Sequence, residues 1–349
     1  MKLRLGIVGH GREWQTRYLP ALRLIRERFQ VSAVYHSVAA LADSVADDFG
    51  AVRCDGIRKL VARDDVDAIL LLENDWYRLS PISAACEYGK AVLCGAEIEF
   101  DPDTAARMQA KVEQSGISFM QELPRRYAPA TLRLKELIAT KIGRPKLLFC
   151  HHRMAPRDTR NGRGNSPPQN RKRRELIEMI DWCQYIVGGS PTWVQAVASS
   201  SIATAESRQD AIEQFTLESD YQSMSLGFSA SNAGGEDIIA QVSCGTYIAE
   251  KWQEAINFRT PAAIQVCCEN GLAFLDLPTS LVWFDSAGRH QESLDSELPI
   301  GQQVLTQFHR AVTSLVRRTG GLDDVCAALH ALESAGVSAR NGIRKQISV

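Results

Sequence analysis

Several common signatures are absent from this sequence, and each absence narrows its function. Its longest apolar runs, such as Ala68 to Leu72 and Ala91 to Cys94, fall far short of the ~20 residues a bilayer span needs. The start, Met1 to Gly9, alternates charged with apolar residues and lacks the unbroken apolar core of about 7–15 residues that marks a secretory signal. No charge of one sign dominates: 40 Lys+Arg against 41 Asp+Glu leave a net charge of -1, so no overall field draws nucleic acid or an anionic membrane. The nine cysteines are odd in number, form no Cys-x-x-Cys and sit partly inside apolar runs. They predict buried thiols in a reducing cytoplasm rather than a disulfide framework. Neither His-Glu-x-x-His nor a Cys/His cluster with zinc spacing occurs, so no metal is expected. His151-His152 reads as two neighbours on opposite faces of one strand.

What the chain does contain is ordinary globular material, 349 residues with 45% hydrophobic and 23% charged, enough for about two domains. Up to residue 122, short apolar strands alternate with helical patterns. The strands are Leu3 to Val8, Val31 to Tyr35, a weak one near Val52, Asp67 to Leu72, Ala91 to Cys94 and Ile117 to Met120. Several are apolar on both faces, which predicts a parallel sheet covered by helices on both sides. From residue 123 onward, a helix over 131–140 is followed mainly by strands. These cover 146–152, 192–199, 221–230, 238–248, 262–268, 272–277 and 280–284, with a hairpin at Asn270-Gly271. Strands in succession predict an α+β domain with a large, mostly antiparallel sheet. A helix over 175–187 interrupts them, and two more close the chain over 302–317 and 322–338. The expected domains are therefore 1–122 and 123–349, with the C-terminal helices of the second free to pack back on the first.

Gly9-His10-Gly11 follows the first strand directly. In an alternating strand–helix unit, that is where a dinucleotide pyrophosphate rests against backbone N–H groups and the start of a helix. The fingerprint's third glycine is missing, because Trp14 stands in its place. The second strand ends Tyr35-His36-Ser37, without the usual carboxylate for the adenosine ribose. Its absence tolerates NADP, with Arg12 as a charge partner for a 2′-phosphate; alternatively, His36 and Ser37 cap the next helix. The candidate cofactor set is Gly9, His10, Gly11, Arg12, Glu13, His36, Ser37, Leu72, Glu73 and Asn74.

Residues 153–174 hold eight basic residues against one acid, with three prolines and two glycines, and read as an irregular loop. It is either a solvated charge run or a clamp for an anionic substrate through Arg157, Arg163 and Arg174. Without interleaved aromatics it does not suggest nucleic-acid binding.

In order, the stretches 6–22, 65–94, 125–148, 180–191, 268–284 and 322–342 resemble the Gfo/Idh/MocA family of NAD(P)-dependent oxidoreductases. The resemblance implies a Rossmann domain that binds NAD or NADP. It also implies a second domain whose open sheet carries substrate on one face and often subunits on the other, hence a homo-oligomer, dimer or tetramer. The family's Gly-Lys-x-Val-x-x-Glu-Lys-Pro is matched by Gly89-Lys90-Ala91-Val92-Leu93-Cys94, but Gly95-Ala96-Glu97 then replaces Glu-Lys-Pro. Its Thr-Pro-x-x-x-His becomes Glu73 to Arg78, and its Asp-x-Gly-x-His-x-x-Asp becomes Arg174 to Asp181, keeping the last aspartate alone. The usual alcohol oxidation therefore cannot run unaltered. On the altered helix, Arg174, Glu178, Asp181 and Tyr185 share one face by spacing. The resemblance turns that face toward substrate, with Glu178 and Asp181, and Glu97 from the first domain, as acid/base candidates; a plain salt-bridged helix is the competing reading. The expected function is hydride transfer with a small polar, carbohydrate-like or anionic substrate. The alternatives are an inactive nucleotide- or sugar-binding sensor or partner subunit, and non-oxidative chemistry with tightly held NAD.

Overall fold

A computed structural model describes residues 1–10, 13–73, 79–95, 102–154, 168–199, 220–229, 237–245, 263–295, 297–314 and 322–347, with side chains of 168–171 excepted. The chain divides into two compact units, one of residues 1–127 and 298–323, the other of 128–297 and 324–349.

In the first unit, β1 (Leu3–Val8) is followed by a π-helical turn (Trp14–Tyr18) and α1 (Leu19–Leu24). Next come β2 (Phe29–Tyr35), α2 (Ala39–Phe49), β3 (Val52–Arg53), α3 (Ile57–Val61), β4 (Ala68–Leu71), α4 (Ser80–Tyr88), β5 (Ala91–Cys94), α5 (Pro102–Ser115) and β6 (Phe119–Gln121). The six strands are parallel, in the order β3-β2-β1-β4-β5-β6. Alternate strand residues feed two separate cores. Leu5, Ile7, Leu70 and Leu93 pack with Leu22 and Val45, while Val8, Ile69, Leu71 and Val92 pack with Leu60, Ala85 and Met108. This two-sided burial is why the strands read as unbroken apolar runs.

The second unit holds α6 (Pro129–Leu137), β7 (Pro145–Arg153), α7 (Pro168–Val187) and β8 (Trp193–Ser199). It continues with β9 (Tyr221–Phe228), β10 (Ile238–Gly245), β11 (Ile264–Cys268), β12 (Leu272–Asp276), β13 (Ser280–Asp285) and β14 (Gly288–Ser293). Then α8 (Ile300–Thr313) returns to the first unit, where Val304, Leu305 and Phe308 join the α1 side of the core. Helix α9 (Leu322–Asn341) leads to β15 (Lys345–Gln346). The nine-stranded sheet runs β14-β13-β12-β11-β7-β10-β9-β8-β15 and is antiparallel apart from the β7–β10 pair. One face is buried, with Cys150 of β7 against Cys183 of α7 (Sγ to Sγ 3.7 Å). The other face presents Leu147, Phe149, Val197 and Phe284, all 38–62% exposed. The register places these four on the same side, since Phe284, Leu272, Cys267 and Leu147 pair in one row and Val197, Ser223, Ser243 and His151 in another. His151 and His152 accordingly lie on opposite faces.

One reading of the sequence needs correction. Residues 168–174, assigned to an irregular loop, form the first two turns of α7. Pro168 suits the first helical position, where no N–H is required, and Gln, Arg and Lys are good helix formers.

Candidate functional site

The strand order places a crevice at the carboxyl ends of β1 and β4, where the connections diverge to opposite sides of the sheet. Gly9 opens the turn after β1 at φ +76°, a left-handed conformation that costs a side-chain-bearing residue dearly. Its N–H donates to the Tyr35 carbonyl at 2.9 Å, which ties the turn to the end of β2. The chain then enters the π-helical turn, with the Tyr18 N–H reaching back five residues to the Glu13 carbonyl. Trp14, in the missing glycine's place, turns its indole into the core (3% exposed), edge-on to Phe49. Gly11 and Arg12 lie outside the described residues.

Three side chains meet over this turn. The His10 ring stacks on Trp14 (centroids 5.6 Å apart) and lies 4.8 Å from the His36 ring. Burial, and then the neighbouring His36, push its pKa down to about 4, so it is neutral at pH 7. His10 Nε2 is buried with no hydrogen-bond partner among the described residues. Buried polar atoms are normally satisfied, so this one fits a polar ligand entering the crevice. His36 accepts the Val38 N–H at Nδ1 (2.8 Å), which leaves the ring proton on Nε2, 3.3 Å from the Glu73 carboxylate. The bond precedes α2, whose N-cap residue is Val38 and whose start takes no side-chain cap, so the capping reading of His36 and Ser37 does not hold. Ser37 is exposed beside it. Leu72 is buried and extends the β1–β4 pairing by its N–H to the Val8 carbonyl. Asn74 lies outside the described residues.

At the ends of β5 and β6, the first unit is occupied by its own side chains. Glu122, directly after β6, pairs with Arg17, which also meets Glu13 at 3.3 Å. Tyr18 is 1% exposed, and burial together with Glu122 raises its pKa well above the usual value. Both point at Gly95: a Cβ there would lie 2.8 Å from the Tyr18 hydroxyl and 2.9 Å from Glu122 Oε2. A side chain at position 95 would therefore meet space already filled by Tyr18, Glu122 and Leu72. Sequence reasoning missed Arg17, Tyr18 and Glu122. A carboxylate immediately after the last parallel strand was the available signal. Ala96 and Glu97 lie outside the described residues.

In the second unit, Arg174 Nε donates to Glu178 at 2.8 Å, so the i,i+4 pair foreseen for a salt-bridged helix forms. Asp181 is 1% exposed on the same helix. Beside them His152 Nε2 lies 3.6 Å from Glu175, and burial lowers the pKa of Lys172. Arg157 and Arg163 lie outside the described residues. No group of three or more potential metal ligands occurs among the described residues, and none of the described helices is long and apolar enough to cross a membrane.

The model of the Gfo/Idh/MocA oxidoreductase family, NAD-binding Rossmann fold, matches residues 3–122. D-xylose 1-dehydrogenase (NADP(+)) 2 of Haloferax volcanii is 28% identical over 147 residues, 40% of this chain and 43% of that protein. Inositol 2-dehydrogenase 3 of Saccharopolyspora erythraea is 29% identical over 155 residues, 44% of this chain and 46% of that protein. The chain thus matches less than half the length of these curated relatives. Among solved structures, an oxidoreductase from Thermotoga maritima superposes with TM-score 0.78 at 18% identity, covering 99% of both chains. The aldose-aldose oxidoreductase from Caulobacter crescentus, complexed with glycerol, does so with TM-score 0.78 at 16% identity, covering 99% of this chain and 100% of that one. These likenesses extend the shared fold over both units. Residues 3–122 thus match the NAD-binding Rossmann fold of the Gfo/Idh/MocA oxidoreductase family.

Proposed function

We propose that this protein is an oxidoreductase that moves hydride between NAD or NADP and a carbon of a small polar, carbohydrate-like or anionic substrate. The observation that carries the reading is the crevice itself: a left-handed Gly9 turn at the β1–β4 divergence, beside a buried His10 nitrogen without a partner among the described residues. The dinucleotide would be held by the Gly9–Glu13 turn, His10, the β2 end at His36 and Ser37, and the β4 end at Leu72 to Asn74. When bound, it supplies the hydride chemistry; the chain supplies orientation and proton handling. Glu178 and Asp181 of α7, together with Glu97, are the acid/base candidates, and Arg157, Arg163 and Arg174 the clamp for an anionic group. The relatives named for xylose and inositol support a polyhydroxylated substrate.

The same reading places the protein in the cytoplasm as a homo-oligomer, dimer or tetramer, joined through the open sheet face that carries Leu147, Phe149, Val197 and Phe284.

A second reading, a non-catalytic nucleotide- or sugar-binding relative, is favoured by Gly95 and Ala96 in place of the family's glutamate and lysine. Turnover assays over a panel of aldoses and polyols with NAD and NADP separate the two. Turnover that Glu178→Gln abolishes, with nucleotide affinity retained, supports the enzyme; nucleotide binding with no turnover of any panel member supports the binding protein.

A further inference from the structure

The second strand ends without the acid that usually receives the adenosine ribose, yet a carboxylate is present at that place. Glu73 follows β4, and β4 and β2 flank β1 on opposite sides, so its contact with His36 crosses the Gly9 turn. His36 is held on every side. Its Nδ1 accepts the Val38 N–H, its ring lies against His10, and its side chain is 8% exposed. The remaining Nε2–H faces Glu73, whose side chain stays 31% exposed. Arg53, paired with Val34 across β2 and β3, is engaged by Asp43 (3.4 Å) and Asp55 (3.5 Å).

We infer that Glu73, positioned by His36, is the residue that selects NAD over NADP in this crevice. The inference rests on the dinucleotide reading above. Its carboxylate accepts hydrogen bonds from the ribose hydroxyls and repels a 2′-phosphate, which carries up to two negative charges. The acid that the fold normally draws from β2 comes here from β4, through an imidazole.

Equilibrium titrations with NADH and with NADPH, read by nicotinamide fluorescence, test this on the full chain. The wild type is expected to bind NADH at least about tenfold more tightly than NADPH. Glu73→Gln should bring the two within about threefold, chiefly by tightening NADPH. His36→Ala, which releases the carboxylate from its position, should narrow the gap as well. The wild-type preference should shrink in high salt, as a charge repulsion does. Tighter NADPH binding by the wild type would overturn the assignment. So would Glu73→Gln shifting both affinities equally, which would make the pair a bar across the crevice rather than a selector. If neither nucleotide binds, the dinucleotide reading falls and this inference with it; if both bind alike, only the inference falls.

Discussion

The two sides of the strand-end crevice in the first unit are built on opposite principles. Over β1 and β2, the polar groups are neutral or shared, and one buried nitrogen, His10 Nε2, has no partner among the described residues. Over β5 and β6, Arg17 pairs with Glu13 and Glu122, and the Tyr18 hydroxyl and Glu122 fill the volume above Gly95. One side is built around a neutral imidazole, and the other around a buried ion pair. Substitutions on the β5–β6 side should therefore cost stability, and those on the β1–β2 side should cost nucleotide affinity.

The largest effect is expected from Glu122→Ala. It leaves Arg17 half-buried with Glu13 alone, and removing one partner of a buried pair costs about 3 kcal/mol or more. Thermal unfolding should shift down by roughly 6–12 °C, and an unchanged midpoint would mean the pair is not a structural one. Gly9→Val forces a β-branched residue to φ +76°, a strain of about 1–3 kcal/mol, and should weaken NADH binding by at least about tenfold. If affinity survives, the turn is not the pyrophosphate seat. Gly95→Ala should destabilise by about 1–3 kcal/mol through overpacking, and Tyr18→Phe in the same chain should recover part of that loss. Additive losses in the double variant would show that the Tyr18 hydroxyl is not what excludes a side chain there.

The smallest effect is a pH dependence. His10 has its folded pKa pushed down to about 4 from an ordinary 6.5, so between these values the unfolded chain binds more protons. Stability from this group is complete above about pH 6.5 and declines as pH falls toward 4. Unfolding in denaturant at pH 7 and pH 5 should show a larger acid loss for the wild type than for His10→Asn. Equal losses would place His10 in a more solvated site.

The same contrast explains what could be read in advance. The strand alternation, the Gly9 turn and the family were legible because each rests on local pattern: period, glycine placement and motif order. The His10–His36–Glu73 group was not legible as a group, since its members follow three different strands and only the order β2-β1-β4 brings them together. Glu73 was assigned to the cofactor crevice, but not its bond to His36. β14 escaped notice because Gly288–Ser293 is almost wholly polar and shows no apolar alternation. The start of α7 was hidden by its arginines, although Pro168 marked it. Trp14 illustrates the limit of motif reading. A glycine normally lets helix and strand approach closely at that position; here a π-helical turn opens room for an indole, and no pattern in the sequence announces a π-turn.

The account stands on dinucleotide binding at the β1–β4 crevice, and titration of the wild type and Gly9→Val with NADH and NADPH tests it most directly. The prediction is saturable enhancement of nicotinamide fluorescence in the wild type with at least one of the two, and its loss in a Gly9→Val protein that remains folded by circular dichroism. No response to either nucleotide, or an equal response from both proteins, would contradict it.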